Sequence, residues 1–215
     1  MWGYVEHVTT SSRILYDKTT DMISYYASSK IEEKEEIILT NNDESKDKNN
    51  NTRIYPLASY CESYKSFSGD PTLIVDNIYL GSAYNAASYS TLKKFDIKVI
   101  INATTEISNY YPDDFTYYRY SLYDNNKHSI NQYLDESFNV IKHHQDNTPG
   151  NILIHCFMGA SRSVSIVIHY LMKTMVNKDG TNYTFEEALQ YIKNKRPIIN
   201  PTNKLSDDVK NHQTI

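Results

Sequence analysis

NILIHCFMGASRS, from Asn151 to Ser163, places an apolar strand, a thiol and the start of a helix within thirteen residues. Ile152, Leu153 and Ile154 form the short apolar run of a buried strand, and Pro149-Gly150 marks a turn just ahead of it. The strand is expected to end at His155. From Arg162 onward, Val164, Val167, Ile168, Leu171, Met172 and Met175 recur at helical spacing and predict an amphipathic helix with these residues on one face. Cys156, Phe157, Met158, Gly159, Ala160 and Ser161 then bridge strand end and helix start. Backbone N–H groups in such a loop point at an anion, and the helix N-terminus adds partial positive charge on the same side.

Upstream of this segment the pattern alternates between strands and helices. Leu73 to Val75 and Ile78 to Leu80 flank Asp76-Asn77 and predict two short strands or a hairpin. Ser82 is a helix cap, and the helix it starts is expected to run to about Phe95, burying Ala86, Ala87, Leu92 and Phe95. Ile97 to Ala103 is β-branched and reads as a parallel strand buried on both faces, and the alternation from Tyr117 to Leu122 predicts another strand. Ile130, Tyr133, Leu134, Phe138 and Ile141 repeat at helical spacing. Downstream of the loop, Phe185, Ala188, Leu189 and Ile192 predict a helix that stops before Pro197, and a last short helix starts near Thr202. The order is that of an α/β domain with a central, mostly parallel sheet and helices on both sides.

That domain is expected over residues 69–215. Ahead of it, residues 1–40 read as an N-terminal extension with helical potential, and 41–68 as a polar linker, NNDESKDKNNNTR, followed by a Tyr- and Ser-rich segment without an assignment. With 215 residues the chain holds one catalytic domain and an extension. A net charge of -4 and a pI near 6.0 give no electrostatic case for nucleic acid or an anionic membrane. No apolar run approaches the roughly 20 residues of a membrane span, and the N-terminus lacks the basic and apolar regions of a secretory signal, so an intracellular setting is expected. Cys61 and Cys156 are the only cysteines, which rules out a disulfide scaffold and any CxxC zinc pair. His128, His143 and His144 read as surface residues of a loop and a helix, and no metal or cofactor is implied.

The loop makes a specific chemical demand on Cys156. Converging N–H donors, a helix N-terminus and the guanidinium of Arg162 all favour thiolate over thiol, which in such settings lowers a cysteine pKa from about 8.5 to roughly 3.5–7.5. Arg162, six residues on, has the planar fork that grips two phosphate oxygens at once. His155, Gly159 and Ser163 join the C-x5-R spacing, with a strand ahead and a helix behind. HCFMGASRS thus resembles the HCxxGxSRS loop of the dual-specificity protein phosphatases, within the cysteine-based protein tyrosine phosphatase superfamily. NIYLGS at Asn77 to Ser82, IINAT at Ile100 to Thr104, and Asp124, placed 32 residues before Cys156, are similar to that family's elements in the same order. The resemblance spans about Leu73 to Pro201. It departs at Asn200-Pro201-Thr202-Asn203-Lys204-Leu205, where the family often carries Pro-Asn followed by Gly and an aromatic.

The resemblance implies a phosphotyrosine-phosphatase-like fold, with Cys156 as nucleophile and Arg162 as phosphate clamp. It implies Asp124 as the acid that becomes the base, Ser163 as hydrogen-bond donor to the departing thiolate, and His155 as a residue that orders the loop. The implied partners are phosphorylated proteins bearing phosphotyrosine and phosphoserine or phosphothreonine. Phe157, Met158 and Ala160 carry no charge, whereas phosphoinositide phosphatases of the superfamily often place lysines there and RNA triphosphatases an asparagine before the arginine. Those substrates, and non-catalytic phosphoprotein binding, are the alternatives.

Overall fold

β-Branched and apolar residues fill the runs Ile97–Asn102 and Asn151–His155, and these two strands pair at the middle of a sheet, their own apolar side chains shielded on both faces. The computed structural model describes residues 67–212, residue 126 apart. The predicted N-terminal extension, the polar linker and Cys61 lie outside the described residues. Five strands, β1 (Thr72–Val75), β2 (Ile78–Gly81), β3 (Ile97–Asn102), β4 (Thr116–Arg119) and β5 (Asn151–His155), form one sheet in the order β1-β2-β5-β3-β4. β1 pairs antiparallel with β2 at one edge, and the remaining pairs are parallel.

The two faces of the sheet belong to different apolar clusters. Ile78, Leu80, Val99, Ile101, Ile152 and Ile154 pack with the helices α3 (Asn131–Asn147), α4 (Arg162–Thr174), α5 (Phe185–Lys195) and α6 (Asn203–Asn211). Ile97, Ile100 and Leu153 face the other way, against Ala86, Leu92 and Phe115, where α1 (Ala83–Ala87) and α2 (Tyr89–Lys94) cover the sheet. Ile97 and Val99, two apart, would share a face in a regular strand. A register shift against β5 between them sends them to opposite sides.

Three expectations are corrected. The helix expected from Ser82 to Phe95 is two helices, because the Ser88 hydroxyl accepts from the Thr91 N–H at 3.3 Å and restarts the chain as a new N-cap. The strand expected to reach Leu122 stops at Arg119, and the Leu122 N–H turns back onto the Tyr120 carbonyl at 2.8 Å. α4 is not amphipathic over its first three turns: every residue from Arg162 to Leu171 is buried, since the helix lies between the sheet and α3, α5 and α6. Ile166, Val167 and Ile168 are fully shielded, each contributing about 1.5–3 kcal/mol by leaving water. Met172 is only half-buried, and Met175 lies just past the helix end. Among the described residues no helix is long and apolar enough to cross a membrane.

Candidate active site

The parallel strands end level with one another, Gly81 beside His155, His155 beside Asn102, and Asn102 beside Arg119. The loops leaving these ends carry the chemistry, as expected at the carboxyl edge of such a sheet. Cys156 follows β5 directly, Glu106 lies in the loop after β3, and Asp124 in the loop after β4. Buried Asn102 shapes the Glu106 loop: its Nδ2 donates to the Ile107 carbonyl at 2.8 Å, and its Oδ1 accepts from the Thr104 hydroxyl at 2.7 Å. The IINAT segment therefore folds the loop that places a carboxylate.

Four consecutive carbonyls of the Cys156 loop are pulled outward. Phe157 O accepts from the Ala83 N–H at 2.9 Å and Ala160 O from the Asn200 N–H at 2.7 Å. Between them, Arg196 donates from Nη2 to Met158 O at 3.0 Å and from Nε to Gly159 O at 2.8 Å. A trans peptide sets N–H opposite C=O, so the N–H groups of Met158, Gly159, Ala160 and Ser161 turn toward the inside of the loop. The Gly159 N–H does reach the Cys156 sulfur, at 3.2 Å. The result is a cradle of amides at the N-terminus of α4, where an anion is favoured. Arg196 itself was not singled out by sequence reasoning. Its one signal is a cation at the end of a helix immediately before Pro197.

Gly159 is required in this cradle. Its φ of 68° lies in the left-handed region, and a Cβ there would sit 2.3 Å from the Gly81 carbonyl oxygen. Gly159→Ala is expected to destabilise the domain by more than about 3 kcal/mol, read as a lower denaturant midpoint at unchanged slope.

Cys156 is 1% exposed, and its sulfur also accepts from the Ser163 hydroxyl at 3.2 Å. Burial alone would push the thiol up, but the charge of Arg162 and the hydrogen bonds of Ser163 outweigh it and hold the pKa below the ordinary thiol value. Arg162 lies buried with Nη1 2.7 Å from one Glu106 carboxylate oxygen, 2.9 Å from the other and 3.2 Å from the Leu122 carbonyl. Its Nε has no hydrogen-bond partner within the protein and stands 3.9 Å from Asp124 Oδ2. A buried guanidinium donor left open in this way suits an incoming oxyanion. Asp124 is exposed, and its Oδ1 accepts from the Ser161 hydroxyl at 2.7 Å. His155 is buried, with Nδ1 3.2 Å from the Cys156 carbonyl, and desolvation pushes its pKa down to about 4, so the ring is neutral. Cys156, Arg162, Asp124, Ser163, His155 and the loop from Phe157 to Ser161 thus converge. Glu106 and the Ser161–Asp124 link are additions that the sequence did not disclose.

Residues 78–215 match the dual specificity phosphatase catalytic domain. The chain belongs to this family. Over 131 residues, 61% of the chain, it is 37% identical both to Protein phosphatase Slingshot of Drosophila melanogaster and to Dual specificity protein phosphatase 1 of Arabidopsis thaliana. It spans 12% of the length of the fly protein and 63% of the plant one. Human DUSP28 shares the fold, with a TM-score of 0.59 at 17% identity, over 67% of this chain and 93% of that one. The C-terminal segment that departs from the family's pattern is itself tied down: the Asn200 N–H donates to the Ala160 carbonyl, and the Thr202 hydroxyl caps α6 by accepting from the Leu205 N–H at 3.4 Å.

Proposed function

We propose that this chain is a protein phosphatase that hydrolyses phosphotyrosine and phosphoserine or phosphothreonine monoesters through a phosphocysteine intermediate. The observation that carries this reading is the sulfur of Cys156, held by the Gly159 N–H and the Ser163 hydroxyl and favoured as thiolate by the charge of Arg162, whose Nε is left open. A phosphate entering the amide cradle meets the thiolate on one side and Asp124 on the other. Sulfur attacks phosphorus, the bond to the leaving oxygen breaks, and Asp124 gives that oxygen its proton. Asp124, now a carboxylate, takes a proton from water as the water oxygen attacks phosphorus. The sulfur–phosphorus bond breaks, inorganic phosphate leaves, and Ser163 steadies the returning thiolate. Arg162 bridges two phosphoryl oxygens throughout, with its far nitrogen fixed by Glu106. His155 acts by ordering the loop from beneath.

Two features favour a protein substrate. The loop side chains Phe157, Met158 and Ala160 offer no charge to further phosphates. A hollow of about 420 Å³ lined by Leu122, Tyr123, His128, Ser129, Asn131 and Gln132 adjoins the Asp124 loop and gives room for residues flanking a phosphorylated side chain. The 215-residue chain should hydrolyse phosphotyrosine and phosphothreonine peptides faster than a phosphoinositide or a triphosphorylated RNA. Preference for either of the latter would overturn the assignment.

The role of Asp124 has its own test. Asp124→Asn is expected to lower kcat about 10²- to 10³-fold on a phosphopeptide, and much less on an aryl phosphate whose leaving group needs no proton. Equal losses on both substrates would remove Asp124 from the acid role.

A further inference from the structure

On the face of the sheet covered by α3 to α6, two of these helices and the end of a third bring together two imidazoles and a carboxylate that the phosphatase chemistry does not use. Asp135 lies in the second turn of α3, His169 in α4, and His212 immediately after α6. One ligand atom from each stands within 4.8 Å of the other two. His212 Nε2 is 2.9 Å from Asp135 Oδ2, and His169 Nε2 is 3.6 Å from Asp135 Oδ1. The two imidazole rings meet nearly edge to face, 5.1 Å apart at 79°. His169 is 4% exposed and its Nε2 has no hydrogen-bond partner, the 3.6 Å approach to Asp135 being too long for one. A ring nitrogen shielded from water, unpaired and aimed at a carboxylate beside a second imidazole is the arrangement a metal ion completes.

We propose that Asp135, His169 and His212 form a binding site for a divalent transition metal, zinc having the ligand preferences that fit best. Two imidazoles and a carboxylate make three protein ligands, with water as the fourth. Tetrahedral zinc with bonds of about 2.0–2.1 Å separates its ligand atoms by roughly 3.4 Å. The cluster therefore has to draw in at its widest span, and rotation of the rings supplies that movement. A positive charge already meets the Asp135 carboxylate: Lys173 Nζ lies 2.6 Å from Asp135 Oδ1 and 4.8 Å from the centre of the Phe138 ring. Lysine and metal compete for the same carboxylate oxygen. Lys173 is partly exposed, so on metal binding its ammonium has solvent to move into.

The ion would pin α3, α4 and the end of α6 to one another. His169 is seven residues beyond Arg162 along α4, about 10 Å at the helical rise, so the ion would act on the frame that carries the loop and not on the phosphate. Titration of the 215-residue chain with cobalt chloride and zinc chloride tests this, in a Cys156→Ser background that removes the competing thiolate. One cobalt ion per chain is expected, with the visible absorption of a tetrahedral site, displaced by zinc and accompanied by a higher melting temperature. Asp135→Asn and His212→Ala should each weaken binding at least tenfold, Lys173→Met should tighten it, and His128→Ala should leave it unchanged. His169→Ala empties a buried position and is open to misfolding, so the Asp135 and His212 variants decide, with their fold checked by circular dichroism. Absence of saturable binding below millimolar metal would overturn the proposal. So would binding that persists unchanged in both deciding variants, or that follows His128.

Discussion

Cys156→Ser should silence turnover by about five orders of magnitude, the scale on which loss of a nucleophile stops covalent catalysis, while leaving the fold and phosphate binding in place. The size of the effect comes from ionisation. Arg162 and Ser163 overcome the burial of the thiol and hold its pKa below the ordinary value, so the sulfur is charged where a free thiol is not. A serine hydroxyl in the same place stays neutral at any working pH and is a far weaker nucleophile. The amides and Arg162 still stand around it, so the variant should bind a phosphotyrosine peptide in a calorimeter and release no phosphate. A variant retaining a tenth of wild-type turnover would remove Cys156 from the mechanism. The pH dependence has a definite sign. Because the thiol pKa is lowered, the thiolate persists as pH falls until that lower pKa is reached. Iodoacetate should therefore label wild-type Cys156 at pH 6 much faster than it labels a free cysteine. Equal rates would contradict the lowered pKa.

What the sequence disclosed was what neighbouring residues encode together. The strand Asn151–His155, the loop and the start of α4 occupy contiguous positions, so periodicity and spacing identify all three. The same holds for the two-sided burial of Ile97–Asn102, whose β-branched run fits a parallel strand in the middle of a sheet. Interactions across long separations stayed hidden. Arg162 meets Glu106 at a separation of 56 residues, and Arg196 meets Gly159 at 37, with no local pattern to connect either pair. Burial inside a helix bundle was equally opaque: Ser163, Ser165 and His169 are polar and would place α4 at a surface, yet neighbouring helices enclose them. His144 is the same case in α3. It was expected at the surface and is instead buried, bonded to the Tyr118 hydroxyl at 2.9 Å and the Thr148 hydroxyl at 2.9 Å. The expectation that no metal is implied rested on the absence of a CxxC pair and of a matching Cys or carboxylate at metal spacing; local spacing says nothing of Asp135, His169 and His212, which stand far apart in sequence on two helices and just past the end of a third.

Arg162→Lys tests the other half of the chemistry, and a loss of about 10³-fold or more in kcat is expected despite the conserved charge. The guanidinium has two jobs at opposite ends. Nη1 is committed to Glu106 and to the Leu122 carbonyl, which fixes the plane of the fork, and Nε has no partner in the protein, which in the proposed mechanism leaves it for a phosphate oxygen. A lysine has one nitrogen and cannot do both: anchored to Glu106 it abandons the phosphate, and turned to the phosphate it leaves Glu106 without its cation. It also lacks the two parallel N–H bonds that match the equatorial oxygens of a phosphoryl group in flight. Since that match is tightest in the transition state, kcat and kcat/KM should fall together, rather than KM rising alone. Glu106→Gln separates anchoring from binding: the amide oxygen still accepts from Nη1 but carries no charge, so a loss of about tenfold is expected, well short of that for Arg162→Lys. A lysine variant within fivefold of wild type, with an unchanged melting temperature, would show that charge alone suffices. The fork geometry held by Glu106 would then have no part in catalysis.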